Sequence, residues 1–238
     1  DIAEVLNKNI KFTTMKKGAT FGYAKGGSVV TLDQDFDTTN TAKVVTTPES
    51  GTSVLVASNG STVQVNAGKT LTTNTNVGLV ATNGTSANKS KAINIGTIIS
   101  KINGGVGLYA NNNSEATNET TGKITMENKG SAVSVNVNVH DLIEGPLGKR
   151  SYGYFFKGVS SLAYTNTNGS DTVTIDDGAI FIYSEAIGGT GIQNAQDLTA
   201  AGNDVIGIYQ KGGTIKNSGK LDFNTGTKNT GIYTKTGT

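Results

Sequence analysis

A single recurring pattern restricts the possible folds of this chain most severely: a short segment built as hydrophobic-Gly-hydrophobic-Tyr keeps returning in the same order. Val106-Gly107-Leu108-Tyr109, Ile206-Gly207-Ile208-Tyr209 and Thr230-Gly231-Ile232-Tyr233 are its clearest copies. Val77-Gly78-Leu79-Val80 is an earlier one; Phe21-Gly22-Tyr23-Ala24 and Tyr152-Gly153-Tyr154-Phe155 are weaker relatives. A second segment follows at a variable distance: a Gly, then an apolar alternation. Gly60-Ser61-Thr62-Val63, Gly96-Thr97-Ile98-Ile99, Gly122-Lys123-Ile124, Gly213-Thr214-Ile215 and Gly219-Lys220-Leu221 fit it. Period two marks a strand with one buried face. Asn at the strand ends suits the left-handed backbone that a tight corner needs.

A unit of two or three short strands, repeating every 20 to 30 residues or so, cannot bury its own apolar face, whereas stacking the next unit on it does. The predicted fold is therefore all-β: a right-handed parallel β-helix (solenoid) with short helical or loop excursions. At about 4.8 Å per coil, roughly 9 or 10 coils make a rod of about 45 Å. Leu79, Leu108, Ile208 and Ile232 are expected to form one inward ladder, and Ile98, Ile124 and Ile215 another. Tyr109, Tyr209 and Tyr233 then point outward, as a surface ladder or stacked between coils. A sandwich or barrel also accommodates short strands, but does not need one motif repeated in one order. Residues 1–50 are the less regular first coils, and 51–238 the regular ones, with a loop excursion at about 138–158. Asp1 to Ile10 and Asn194 to Gly202 carry helix-capping patterns.

Composition narrows the function. Apolar residues make up 35% of 238, with 32 Gly, no Trp and few aromatics, which suits a narrow β core. The formal charge is only +2 and Arg150 is the sole arginine, so the basic face of a nucleic-acid binder is missing. No cysteine means no disulfide and no thiolate metal site. No run approaches the roughly 20 apolar residues of a membrane span. The opening residues lack the features of a signal peptide and the chain stops in mid-pattern, so it is read as part of a longer protein.

Candidate chemistry is sparse. His140 is the only histidine and follows an alternating strand, where it reads as a strand-end surface residue rather than the base of a triad. Asp176-Asp177 is either a carboxylate pair or the turn that closes the strand before it. Asp33, Asp35 and Asp37 open like a Ca²⁺ loop, but Thr38 and Val44 stand where an EF-hand needs Gly and Glu, so a solvated face is the simpler reading. No catalytic residue, metal site or cofactor is assigned. The most distinctive segment runs from His140 to Phe156, with Lys149, Arg150, Tyr152, Tyr154 and Phe155 near its end. Aromatic rings and an Arg fork are the usual anchors of a binding surface. The competing reading folds the segment back to cap a coil.

These motifs resemble the passenger domains of large type V autotransporters, in detail the very long fusobacterial adhesins of the RadD-like group. The hydrophobic-Gly-hydrophobic-Tyr strands and the run Gly213-Thr214-Ile215-Lys216-Asn217-Ser218-Gly219 carry the resemblance, over about residues 50 to 238. It implies a β-helical stalk exported through an outer-membrane barrel C-terminal to this chain, on the surface of a Gram-negative bacterium. The expected role is attachment to a host or bacterial surface protein or glycan, with no catalysis. A structural spacer is the second expectation, and a β-helix polysaccharide lyase or hydrolase the third.

Overall fold

Each period-two segment of the sequence becomes a short strand, and the turn formers between them become corners. The computed structural model describes residues 18–39, 52–102, 104–119, 121–126, 150–159, 162–164, 173–175, 177–187, 192–211 and 214–235, with backbone alone for 157–159, 162–164, 173–175 and 186–187. Among them are 22 strands and no helix.

The strands form a parallel β-helix with three sides. The first side is one eight-stranded sheet. Its strands are β1 (Thr20–Lys25), β4 (Ser53–Ser58), β7 (Val77–Thr82) and β10 (Val106–Asn111), then β13 (Tyr152–Val159), β16 (Ile180–Ile187), β19 (Ile206–Lys211) and β22 (Thr230–Lys235). The second side has seven: β2 (Val29–Leu32), β5 (Thr62–Val65), β8 (Ser90–Asn94), β11 (Ser114–Asn118), β14 (Leu162–Tyr164), β17 (Ile192–Asn194) and β20 (Ile215–Asn217). The third side is two sheets. One holds β3 (Phe36–Asp37), β6 (Thr70–Thr73), β9 (Thr97–Ser100) and β12 (Lys123–Met126); the other holds β15 (Val173–Ile175), β18 (Leu198–Ala200) and β21 (Leu221–Asp222). Every pairing is parallel and joins strands one coil apart.

Among the described residues eight strands stack on the longest side, where the repeat length implies nine or ten coils, and the coils differ in length. Val106 is in register with Tyr152, so this coil carries a long insertion, whereas Ile206 meets Thr230 after 24 residues. The aromatic end of the expected excursion, 152–158, is not a loop at all. It is strand β13, paired on both edges.

The inward ladder of the first side is Leu55, Leu79, Leu108, Tyr154, Ile182 and Ile208, as the motif predicts, with Ile232 in register at its end but 41% exposed. The other expected ladder is corrected. Ile98 and Ile124 share the third side, but Ile215 pairs with Ile192 on the second. Gly-Thr-Ile recurs on two different sides, and local sequence does not tell them apart. Gly22 is also displaced: it stands opposite Leu55, which leaves Phe21 in the column of Gly78, Gly107 and Gly153, where Val54 and Phe181 also stand. Residues 194–202 are the end of β17, a corner and β18 rather than a helical turn. Asn194 Nδ2 donates to Gln196 O at 2.9 Å and to Asn217 Oδ1 at 2.7 Å, while Leu198 and Ala200 face the core. Neighbouring coils offer strand partners on both sides, which outweighs the local helix propensity. The N-terminal helix expected at Asp1 to Ile10 lies outside the described residues.

The glycines of the main motif are required where two coils touch. A Cβ on Gly107 would lie 2.8 Å from the Gly153 carbonyl oxygen and 3.0 Å from Ile124 Cγ2; one on Gly78 would lie 2.7 Å from the Gly107 oxygen. The core changes width along the rod. Leu108 and Ala110 give way in register to Tyr154 and Phe156, and Phe181 packs edge-on against Tyr154 with centroids 5.2 Å apart. At that level the third side loses its continuity: β12 and β15 belong to separate sheets.

Two substitutions check this arrangement. Gly107→Ala is expected to cost about 1 to 3 kcal/mol by forcing backbone against backbone. Ile208→Asp, which buries a charge in the ladder, should cost about 3 kcal/mol or more. Urea unfolding followed by circular dichroism measures both, and an unchanged midpoint for either contradicts the pairing of Gly107 with Gly153 or the inward direction of Ile208.

Candidate functional site

The segment around Arg150 and β13 holds four of the five residues expected to bind a ligand. Arg150 stands two positions before β13. Gly104, Gly178, Asp204 and Lys228 stand two positions before β10, β16, β19 and β22, and all four adopt positive φ, between 56° and 72°. Glycine fits this corner without strain, and Asp tolerates it. Arg150 is not among the positive-φ residues, and its side chain is fully buried. Its Nη1 donates to the Asp204 carbonyl at 2.6 Å and to the Gly178 carbonyl at 3.3 Å; Nη2 donates to Asp204 Oδ2 at 2.9 Å. The guanidinium thus ties three successive corners together. A buried charge needs a partner and hydrogen bonds to offset its desolvation, and the corner supplies both.

The aromatic residues that follow divide between two faces. Tyr154 and Phe156 point into the core, with parallel rings whose centroids lie 6.0 Å apart. Tyr152 and Phe155 point the other way and belong to a second apolar cluster with Val106, Ile180, Tyr183, Ile206 and Tyr209. Within it the rings form a column along the rod. Tyr109 to Phe155 spans 5.6 Å, Phe155 to Tyr183 4.6 Å, Tyr183 to Tyr209 5.1 Å and Tyr209 to Tyr233 4.9 Å. The tyrosines therefore do point away from the core, but they stack between coils instead of standing as an open ladder. Their faces are spent on one another and are not free to receive a sugar ring.

Burial sets the ionisation of these phenols. Tyr152 is pushed up from 10.0 to about 12, mainly by loss of water, although the nearby Arg150 opposes the shift. Burial also raises Tyr154, Tyr109 and Tyr209. Tyr183 is raised by burial and then by its hydroxyl's hydrogen bond to the Glu185 carboxylate.

These contacts correct the expectation that Arg150, Tyr152, Tyr154 and Phe155 are exposed anchors. Arg150, Tyr152, Tyr154 and Phe155 are all buried and hold coils together. Asp204 occupies the corner position of Arg150 two coils later, a correspondence that only the register of the strands reveals. Lys149 and His140 lie outside the described residues, as does Asp176. Asp177 sits in the turn before β16, where its Oδ1 accepts from the Asn203 amide at 2.5 Å. Asp33, Asp35 and Asp37 do not converge: they accept from Asn66 Nδ2, the Thr70 amide and the Thr39 amide respectively. Among the described residues no three His, Cys, Asp or Glu side chains group as metal ligands. The chain matches no protein-family model, no curated protein and no solved structure.

Arg150→Ala is expected to lower stability by about 3 kcal/mol, since it leaves the Asp204 carboxylate unpaired. Arg150→Lys should recover only part of this, because an ammonium lacks the planar fork that reaches both carbonyls and the carboxylate. The phenols add a second test. A group whose folded pKa is raised contributes stability that is intact below its unfolded pKa and lost as pH rises through the folded value. Stability should therefore hold below pH 10 and fall as pH rises towards about 12, the interval set by Tyr152. Phenolate absorbance and the β-sheet dichroism should change together. Ionisation of all the tyrosines with the dichroism intact would show that the rings are accessible.

Proposed function

We propose that this chain is a segment of the extracellular passenger of a Gram-negative surface adhesin, attaching the cell to a protein or glycan on a host or bacterial surface. What supports the reading is the unbroken parallel pairing of one sheet from β1 to β22 in a chain without cysteine. Such a rod grows coil by coil, each new coil templated on the one before. It suits a polypeptide that crosses a narrow pore unfolded and folds as it emerges. Attachment then falls to outward rows such as Lys91 and Lys123, which are exposed on the second and third sides. The membrane connection, on this reading, is a barrel outside this chain, and no catalytic step is involved.

A second reading, the structural spacer, is favoured by one observation: the aromatic and Arg side chains best suited to anchor a ligand are used inside the fold. Beads coated with the chain separate the two. An adhesin segment makes beads adhere to bacterial or epithelial cells, and Lys91→Ala with Lys123→Ala weakens adhesion without lowering the melting temperature. Folded chain that leaves beads non-adherent across such a panel is a spacer. Incubation with host and bacterial polysaccharides should release no new reducing ends; turnover abolished by Asp177→Asn would establish an enzyme instead.

A further inference from the structure

We propose that Tyr209 and Tyr233 are a site of oxidative cross-linking, at which hydrogen peroxide and a haem peroxidase join two successive coils through a dityrosine bond. The two residues are direct register partners on β19 and β22. Their ring centroids are 4.9 Å apart and their planes 20° from parallel, the closest approach of any tyrosine pair in the column. Parallel pairing in register stacks each phenol over its counterpart. Tyr209 is buried and held in place between the rings of Tyr183 and Tyr233. Behind them stands Tyr183, 5.1 Å from Tyr209, with its hydroxyl bonded to the Glu185 carboxylate.

The chemistry balances with one peroxide. Each phenol loses one electron and its hydroxyl proton, the protons passing to solvent or, along the column, towards Glu185. The two phenoxyl radicals couple through the ring carbons ortho to oxygen, forming one C–C bond. The hydrogen left on each coupled carbon then moves to its oxygen and restores both phenols. The peroxidase delivers the two electrons and two protons to hydrogen peroxide, which leaves as water. In a chain with no cysteine, this bond supplies a covalent staple between coils that a disulfide cannot.

Exposure and stacking make opposite predictions, which makes the proposal testable. Tyr23 is 50% exposed, far more than Tyr209 or Tyr233, but its register partner is Val56. If accessibility alone governed the reaction, Tyr23 would couple between two copies of the chain. The full chain is treated with horseradish peroxidase and hydrogen peroxide, digested and mapped by mass spectrometry. The expected product is a monomeric chain with dityrosine fluorescence, whose Tyr209 and Tyr233 peptides are joined with the loss of two hydrogens. Tyr209→Phe and Tyr233→Phe should each lose that product, and Tyr183→Phe should keep it. Mapping of the unsubstituted chain decides the matter even if a variant fails to fold. No linkage, linkage only through Tyr23, or a product undiminished in Tyr233→Phe overturns the proposal.

Discussion

The parallel hydrogen-bonded register between one coil and the next governs everything else in this protein. Once Leu79 is fixed above Leu55 and below Leu108, each neighbour along the strand is also fixed over its own counterpart. Stacking like on like favours side chains that gain from their own kind: aliphatic groups, rings and amides, which both donate and accept. Asn94 Nδ2 donates to Asn118 Oδ1 at 2.6 Å, and Asn194 meets Asn217 in the same way. Charges gain only when the sign changes, as where Lys89 reaches Glu115 in the next coil at 2.8 Å. The low charge of the chain and its wealth of Asn, Thr and Gly follow from that rule.

Corners carry the second constraint. Leaving the first side, the chain turns through Asn59, Asn83 and Asn112, all at positive φ; entering it, the chain uses Gly104, Gly178, Asp204 and Lys228. A backbone that turns sharply exposes amides and carbonyls that the sheet no longer satisfies, and a buried corner must pair them. Ser61 Oγ accepts from the Gly27 and Ser28 amides, and Ser90 Oγ from the Gly60 amide. Arg150 is the charged version of the same device, placed two residues before β13, whose register partner Val106 lies farther back in sequence than in any other pair on this side.

Aromatic residues gather where the rod departs from its narrow form. Around β13 and β16 the core must hold Tyr154, Phe156 and Phe181, and the third side is divided at that level. On the opposite face of the first side, the ring column and the Val106 to Ile206 row build a second apolar cluster. The central part of the first sheet is thereby packed on both faces, which is the usual condition of a parallel sheet.

The architecture is legible in the residues alone. Period-two segments returning in a fixed order can bury their apolar faces only by stacking, and Leu79, Leu108, Ile208 and Ile232 read as one ladder on those grounds. The outward direction of Tyr109, Tyr209 and Tyr233 follows from the same alternation. Lateral neighbours are not legible. Gly-Thr-Ile marks a strand without saying which side it joins, so the motif sets Ile215 beside Ile98, whereas the register places it with Ile192. Burial of Arg150 is likewise hidden, because an arginine after Lys149 looks solvated until the corners one and two coils away bring two carbonyls and an aspartate to it. Local pattern fixes which residues alternate, since that depends on the dihedrals of one strand. Which coil each residue meets is settled only by the stack, since that depends on insertions of unequal length between strands.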